Sequence, residues 1–322
     1  MGCSGSPFAR QSDTPTPPLR VPTMDAKTAD ARTHEFDVQD IEYLRHGDKP
    51  LLAKVYKPRG EGPFPALVDL HGGAWCMADR NTDKVRHEFL AGHGVVIVSL
   101  DWRTAREGAY PKALADINYA IRWVKLHAKD LKTRPDLVGI SGQSSGGHLA
   151  MLAAMRPHDP RYTAIPLPAG SPALEATVKA AVLSWPVINP LGRYRFAKRQ
   201  GALANPPEWP PGIIDKHQQF WGGEENMTEG NPMLILERGE KVALPPAIWH
   251  QGRGDMLHDY KDEDFKGSDT EAPRFAANYK KAGGNIELHY FDSDRKPGHS
   301  PDLTKIGDTF ERMLAFIGKH LR

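Results

Sequence analysis

A chain of 322 residues, 39% hydrophobic and 25% charged, has the make-up of a soluble globular protein with a sizeable core. Its net charge of +2, with acidic and basic residues interspersed, excludes the concentrated positive field of a nucleic-acid or acidic-membrane binder. The two cysteines, Cys3 and Cys76, are too few for a disulfide framework or a cysteine zinc site and suit a reducing, cytoplasmic setting.

Residues 1–33 are rich in Ser, Thr, Pro and Gly and read as a flexible tail without the apolar stretch of a signal peptide. The start "MGCSGS" also fits the loose myristoylation pattern, with Cys3 as a second lipid site, or the cysteine-first start of a lipoprotein. An unmodified tail is the plainer expectation.

Residues 34–322 read as one α/β domain of alternating strands and helices. "EFDVQDIEYL" and "LLAKVYKP" flank the turn-prone "RHGDKP", an antiparallel hairpin. "PALVDL" is a short apolar strand ending in "HGGAW"; a helix around Lys84 to Leu90 and the buried strand "VVIVSL" follow. The next segment places Ala113, Ile117, Ala120, Ile121 and Val124 at helical spacing. "DLVGIS" is a strand and "SSGGHLAMLAAM" a helix; "KAAVLSWPV", "PAIWHQG" and "IELHYFD" are three more strands, before the amphipathic "TFERMLAFIGKHLR". This spacing predicts a mostly parallel eight-stranded sheet with helices on both faces. Residues 189–244 depart from the alternation and read as a lid or pocket-wall insertion at the strand ends. No apolar run reaches the ~18 residues of a membrane span.

The stretch "GISGQSSGGHLAML" carries the first chemical signal. A G-x-S-x-G serine is a nucleophile when a strand precedes it and a helix follows, and Ser144 has both. Gly142 and Gly146 remove the β-carbons that would collide in so tight a turn. The helix beginning near Ser145 points unpaired N–H groups and its positive dipole end at the same spot. About 70 residues upstream, "HGGAW" offers further backbone donors. Gly73, Ala74 and Ser145 are thus the candidate oxyanion hole, in which one fixed donor is worth roughly 3 kcal/mol.

A serine nucleophile needs a base and a group that orients it. Asp255 follows the strand "PAIWHQ", and His299 lies in the loop after "IELHYFD", so Ser144, Asp255 and His299 occur in the chain order of such hydrolases. Asp259 and Glu263 follow the same strand and read as solvated loop charges. His148 and His289 read as packing or hydrogen-bonded residues, and His250 and His258 flank the acid loop with no better claim. No histidine pair has metal-binding spacing, so no metal and no cofactor are expected. Trp75, Trp185 and Trp221, with Phe220, are candidates for an apolar substrate pocket, although such residues are more often core. Arg193, Arg195, Lys198 and Arg199 suit a solvated helical face better than a carboxylate site.

Taken together, "HGGAW", "SLDWR", "YPKALADINYAIRWV", "GQSSGGHLA", "LPPAIWHQGRGD" and "GHS" resemble α/β-hydrolases of the hormone-sensitive-lipase-like and bacterial acetyl-esterase and feruloyl-esterase-like groups. The resemblance covers roughly residues 35–322. It implies a serine carboxylesterase acting on small to medium esters, with the family's nucleophile, acid and base falling on Ser144, Asp255 and His299. The chain departs from these groups at Gln143, at Ala74 in place of a third glycine, and at "PGHSP" around the late histidine. "HGGAW" also resembles the motif of kynurenine formamidases, which makes an aryl-formamide hydrolase the alternative. A small-molecule receptor on the same fold is a third reading, set against by the presence of His299.

Overall fold

The structure, a computed structural model, describes residues 34–292 and 306–322. β1 (Phe36–His46) and β2 (Lys49–Pro58) form the expected hairpin, pairing antiparallel from Phe36 opposite Pro58 to His46 opposite Lys49. β3 (Ala66–Leu70), β4 (Val96–Leu100), β5 (Val138–Gln143), β6 (Ala181–Ser184), β7 (Ala247–Gly252) and β8 (Ile286–Phe291) complete one sheet of order β1-β2-β4-β3-β5-β6-β7-β8. β2 meets β4 antiparallel, and every later neighbouring pair is parallel. The expected eight-stranded, mostly parallel sheet is borne out.

The central strands are buried along their whole length because helices cover both faces. Successive side chains on a strand point to opposite faces, so each strand feeds two cores. Leu67, Ile97, Val182 and Ile248 pack with Leu90 of α1 (Lys84–Gly92) and with Phe310, Met313 and Ile317 of α9 (Thr309–His320). Val68, Val98, Ile140 and Leu183 pack on the other face. Their partners include Ile117 and Ile121 of α2 (Lys112–Leu126), Leu149 and Leu152 of α3 (Ser145–Met155) and Phe275 of α8 (Glu271–Lys281).

Residues 189–244 carry four helices: α4 (Pro190–Gly201), α5 (Pro210–Trp221), α6 (Glu224–Glu229) and α7 (Pro232–Glu237). Three of them start with proline in the first turn, where the missing N–H costs nothing. Asn189 and Asn231 cap α4 and α7 by accepting from the N–H of Gly192 (2.9 Å) and Leu234 (3.1 Å). Since β3, β5, β6 and β7 run parallel, the loops after them emerge at one edge of the sheet, where ligands of open α/β sheets bind.

Candidate active site

Ser144 stands between β5 and α3 with φ 52° and ψ −120°, a conformation that L-residues adopt only when their surroundings impose it. Three hydrogen bonds impose it here. The Ser144 N–H donates to the Ser184 carbonyl (3.0 Å), and its own carbonyl accepts from Val187 N–H (2.9 Å) and His148 N–H (3.1 Å). The glycines around it are sterically obligatory. A β-carbon on Gly142 would lie 2.6 Å from the Gly146 backbone, and one on Gly146 would overlap the carbonyl oxygens of Leu70 and His71. Of residues 141–150, Ser144 alone is partly exposed. The turn therefore lifts one hydroxyl out of a closed backbone.

That hydroxyl meets an imidazole. Ser144 Oγ lies 2.9 Å from Nε2 of His258, and His258 Nδ1 lies 2.8 Å from Oδ2 of Asp255. With Nδ1–H donated to the carboxylate, Nε2 presents its lone pair to the serine O–H, as a base must. Both partners are buried, Asp255 at 7% and His258 at 3% exposure, so the ion-stabilising contact works in a medium of low dielectric. Asp255 Oδ1 accepts from Leu257 N–H (3.2 Å), which fixes the carboxylate.

The local chain explains the pairing. After β7, Gly254 takes φ 71°, and the carbonyl of Asp255 accepts from His258 N–H (3.1 Å) and Asp259 N–H (2.9 Å). This single helical turn brings positions i and i+3 to one side. Asp259 anchors it: its Oδ2 accepts from Tyr290 O–H (2.8 Å) and its Oδ1 from Ala272 N–H (3.0 Å). From sequence alone the acid and the base are expected on different strand ends and His258 has no better claim than its neighbours; the Asp-x-x-His spacing after a strand is the signal that points to it. His299, expected as the base, lies outside the described residues.

The H-G-G-A-W loop adjoins the serine, since a β-carbon on Gly72 would come within 3.3 Å of Ser144 Cβ. Gly73, Ala74 and Trp75 all have positive φ, at 98°, 50° and 63°. Gly73 admits no side chain, because a β-carbon would overlap the Met77 carbonyl. Among the described residues, the N–H groups of Gly73, Ala74 and Ser145 donate to no backbone partner. Hydroxyl, imidazole, carboxylate and spare backbone donors are thus assembled at one strand edge, an arrangement able to perform acyl transfer.

Known proteins similar to this chain carry the same chemistry in their names. A family model described as BD-FAE matches residues 54–185. The probable carboxylic ester hydrolase LipM of Mycobacterium tuberculosis is 32% identical over 224 residues, 68% of this chain and 48% of that protein. Carboxylic ester hydrolase LipN of the same organism is 34% identical over 245 residues, covering 75% and 59%. The thermophilic esterase Est2 of Thermogutta terrifontis superposes with a TM-score of 0.62 at 23% identity, covering 88% of this chain and 91% of its own. The chain has the α/β-hydrolase fold. The resemblance to the hormone-sensitive-lipase-like and feruloyl-esterase-like groups is borne out, and the chain spans about half the length of the curated relatives it matches.

Three aromatic residues of this α/β-hydrolase stand elsewhere than expected. Trp75 (0% exposed), Trp221 (1%) and Trp185 (3%) are shut into the core and offer no wall to a pocket. Trp75 is stacked on Phe220 and met edge-on by Trp221, His148 and His217, and Trp185 packs against Phe291. Large flat side chains near a site fill volume before they line it. Arg193 is buried too, over the Trp75 ring at 5.1 Å, whereas Arg195 pairs with Glu224 and Asp264 at the surface. His148 is hydrogen-bonded, as expected.

Asp69, Asp83 and His87 bring ligand-type atoms within 4.8 Å of one another. The Arg86 guanidinium already lies among them, 2.8 Å from Asp69 and 2.9 Å from Asp83, so the α/β-hydrolase holds an ion-pair network there. No helix among the described residues is long and apolar enough to cross a membrane.

Proposed function

We propose that this α/β-hydrolase is a serine carboxylesterase for small to medium carboxylic esters, with Ser144 as nucleophile, His258 as base and Asp255 as orienter. The observation that carries the reading is the continuous relay from Ser144 Oγ through His258 to Asp255, at 2.9 and 2.8 Å. His258 Nε2 takes the hydroxyl proton as Ser144 Oγ attacks the ester carbonyl. The C–O bond to the alcohol then breaks, and His258 returns the proton to the leaving oxygen. Water, deprotonated by the same imidazole, attacks the acyl-serine, and the acid departs as Oγ regains its proton. The N–H groups of Gly73, Ala74 and Ser145 receive the negative charge on the carbonyl oxygen in both steps.

Two features support an apolar, short substrate. Met77 (51% exposed) follows the H-G-G-A-W loop and Met256 (40%) follows Asp255, so soft apolar side chains adjoin both the donor loop and the relay. Est2, which shares the fold, has been solved with propionate and with butyrate bound, and phosphorylated by paraoxon. The helices of residues 189–244 serve, in this proposal, as the cover over the strand edge.

Hydrolysis of p-nitrophenyl esters of two to twelve carbons by the wild type and Ser144→Ala tests the proposal. Turnover that is rapid on short chains and lost in the variant supports it; turnover retained by Ser144→Ala sinks it. The H-G-G-x-W loop favours one second reading, an aryl-formamide hydrolase. Faster turnover of N-formylkynurenine than of phenyl acetate selects that reading.

A further inference from the structure

The proposed reaction gives Trp75 of the H-G-G-A-W motif no task, yet its backbone is held at positive φ. A tryptophan at φ 63°, preceded by an alanine at φ 50°, occupies a region that side chains with a β-carbon avoid. Such a conformation persists only where the surroundings over-determine it. On the backbone side, the Trp75 carbonyl accepts from Ala105 N–H at 2.8 Å. On the side-chain side, Phe220, Trp221, His217 and Arg193 surround the indole, and its Nε1–H finds one acceptor, Nδ1 of His148, at 3.3 Å.

The chemistry of that bond fixes the state of His148. An indole N–H can only donate, so Nδ1 must carry a lone pair and the ring proton sits on Nε2, which donates to the Gly230 carbonyl at 2.9 Å. Burial, aided by Arg193, holds the imidazole neutral by pushing its pKa down to about 3, against the opposite pull of the Gly230 bond. His148 also belongs to the first turn of α3, where its N–H donates to the Ser144 carbonyl. One residue thereby joins the donor loop and the segment between α6 and α7 through its imidazole, and the turn bearing the nucleophile through its backbone N–H.

We propose that Trp75 and His148 are positioning residues: the buried Trp75–His148 hydrogen bond holds Ala74 and Trp75 in their left-handed conformation and so sets the Gly73 and Ala74 donors against Ser144. The inference rests on the esterase reading and on those two N–H groups as the oxyanion hole. It makes the indole N–H, rather than the aromatic surface of Trp75, the part that matters for rate. A donor held loosely still lets substrate bind but stabilises the transition state less.

Four variants test it. Trp75→Phe keeps an aromatic ring and removes the N–H. His148→Asn places an amide oxygen near Nδ1, His148→Gln places its amide near Nε2, and His148→Phe keeps neither. The readouts are kcat and KM on a short p-nitrophenyl ester, the affinity for a trifluoromethyl ketone that forms a tetrahedral adduct, and the unfolding midpoint, with kinetics taken well below it. Trp75→Phe, His148→Gln and His148→Phe are expected to lose roughly ten- to a hundredfold in kcat with KM little changed. Ketone affinity is expected to fall in step with kcat/KM, and His148→Asn to recover most of the rate. Wild-type kcat in Trp75→Phe, a loss confined to KM, ketone affinity unmoved, or equal losses in the Asn and Gln variants each overturn the inference. Failure of the esterase reading shows separately, as ester turnover that is absent in the wild type or survives Ser144→Ala, and removes the inference with it.

Discussion

Asp255 and His258 lie three residues apart on one helical turn, joined by a 2.8 Å bond from His258 Nδ1 to the carboxylate. Acid and imidazole therefore move as one piece, and the turn has to be placed only once against Ser144. The expected partner was a histidine on the far side of β8.

This difference gives the first prediction. His258→Ala is expected to lower kcat/KM on a p-nitrophenyl ester by about three to four orders of magnitude, and Asp255→Asn by a comparable factor. His299→Ala is expected to stay within about threefold of the wild type. Steady-state kinetics on the three variants decide the assignment; the opposite pattern returns the role of base to His299.

The anchoring of the turn yields a second expectation. Tyr290→Phe removes the donor to Asp259 Oδ2, leaving that oxygen short of a partner while the Ala272 bond remains. A loss of a few-fold in kcat is expected, with a destabilisation of about 1 kcal/mol for the hydrogen bond. Urea unfolding and kinetics on the same preparation measure both; an unchanged rate would show that the turn holds without Tyr290.

Gly146→Ala tests the elbow by sterics alone. The added methyl overlaps two backbone carbonyl oxygens, those of Leu70 and His71, and neither can yield without moving β3 or the loop after it. A destabilisation of at least about 3 kcal/mol follows from overpacking against backbone. The measurement is the urea midpoint, or the soluble yield where the variant fails to fold. Gly222→Ala gives a contrast: space is open around Gly222, and its φ of 71° alone penalises the substitution.

Glu271 predicts a pH dependence. It is buried at the start of α8; its Oε1 lies 3.4 Å from both Arg274 and Asn189, and among the described residues its Oε2 has no hydrogen-bond partner. Burial pushes its carboxyl up to about 8, against the opposing pull of Arg274. Unfolded, the same group releases its proton near its ordinary 4.5. Between these values the folded state binds more protons than the unfolded one, so the Glu271 contribution to stability falls as pH rises through about 4.5 to 8. Glu271→Gln cannot ionise. The difference in unfolding midpoint between variant and wild type is expected to grow in favour of the variant from pH 5 to 8.5. Parallel profiles would mean that Glu271 is already charged in the fold.

Strand-to-helix alternation carried the architecture into the sequence. Apolar runs such as "VVIVSL" bury both faces of a strand wherever they stand, and Ala113, Ile117 and Ile121 form a stripe at any helical register. Ser144 was legible for the same local reason: a strand, two glycines and a helix within a few residues specify the turn by sterics. The tryptophans were not, because the chemistry of an indole suits both a core and a pocket, and burial is a property of the neighbours.

What the sequence determined by itself is therefore what depends on short-range chain geometry: the strand and helix order, the elbow, the H-G-G-A-W turn and an aspartate at the end of β7. What only the tertiary structure decided is which imidazole meets Ser144 and which ring meets His148. Ser144 and His258 are 114 residues apart. Their contact exists because parallel strands deliver the loops after β5 and β7 to one edge, and because Gly254, Asp259 and Tyr290 set the angle of a single turn. No local preference encodes that distance; packing of the whole sheet does.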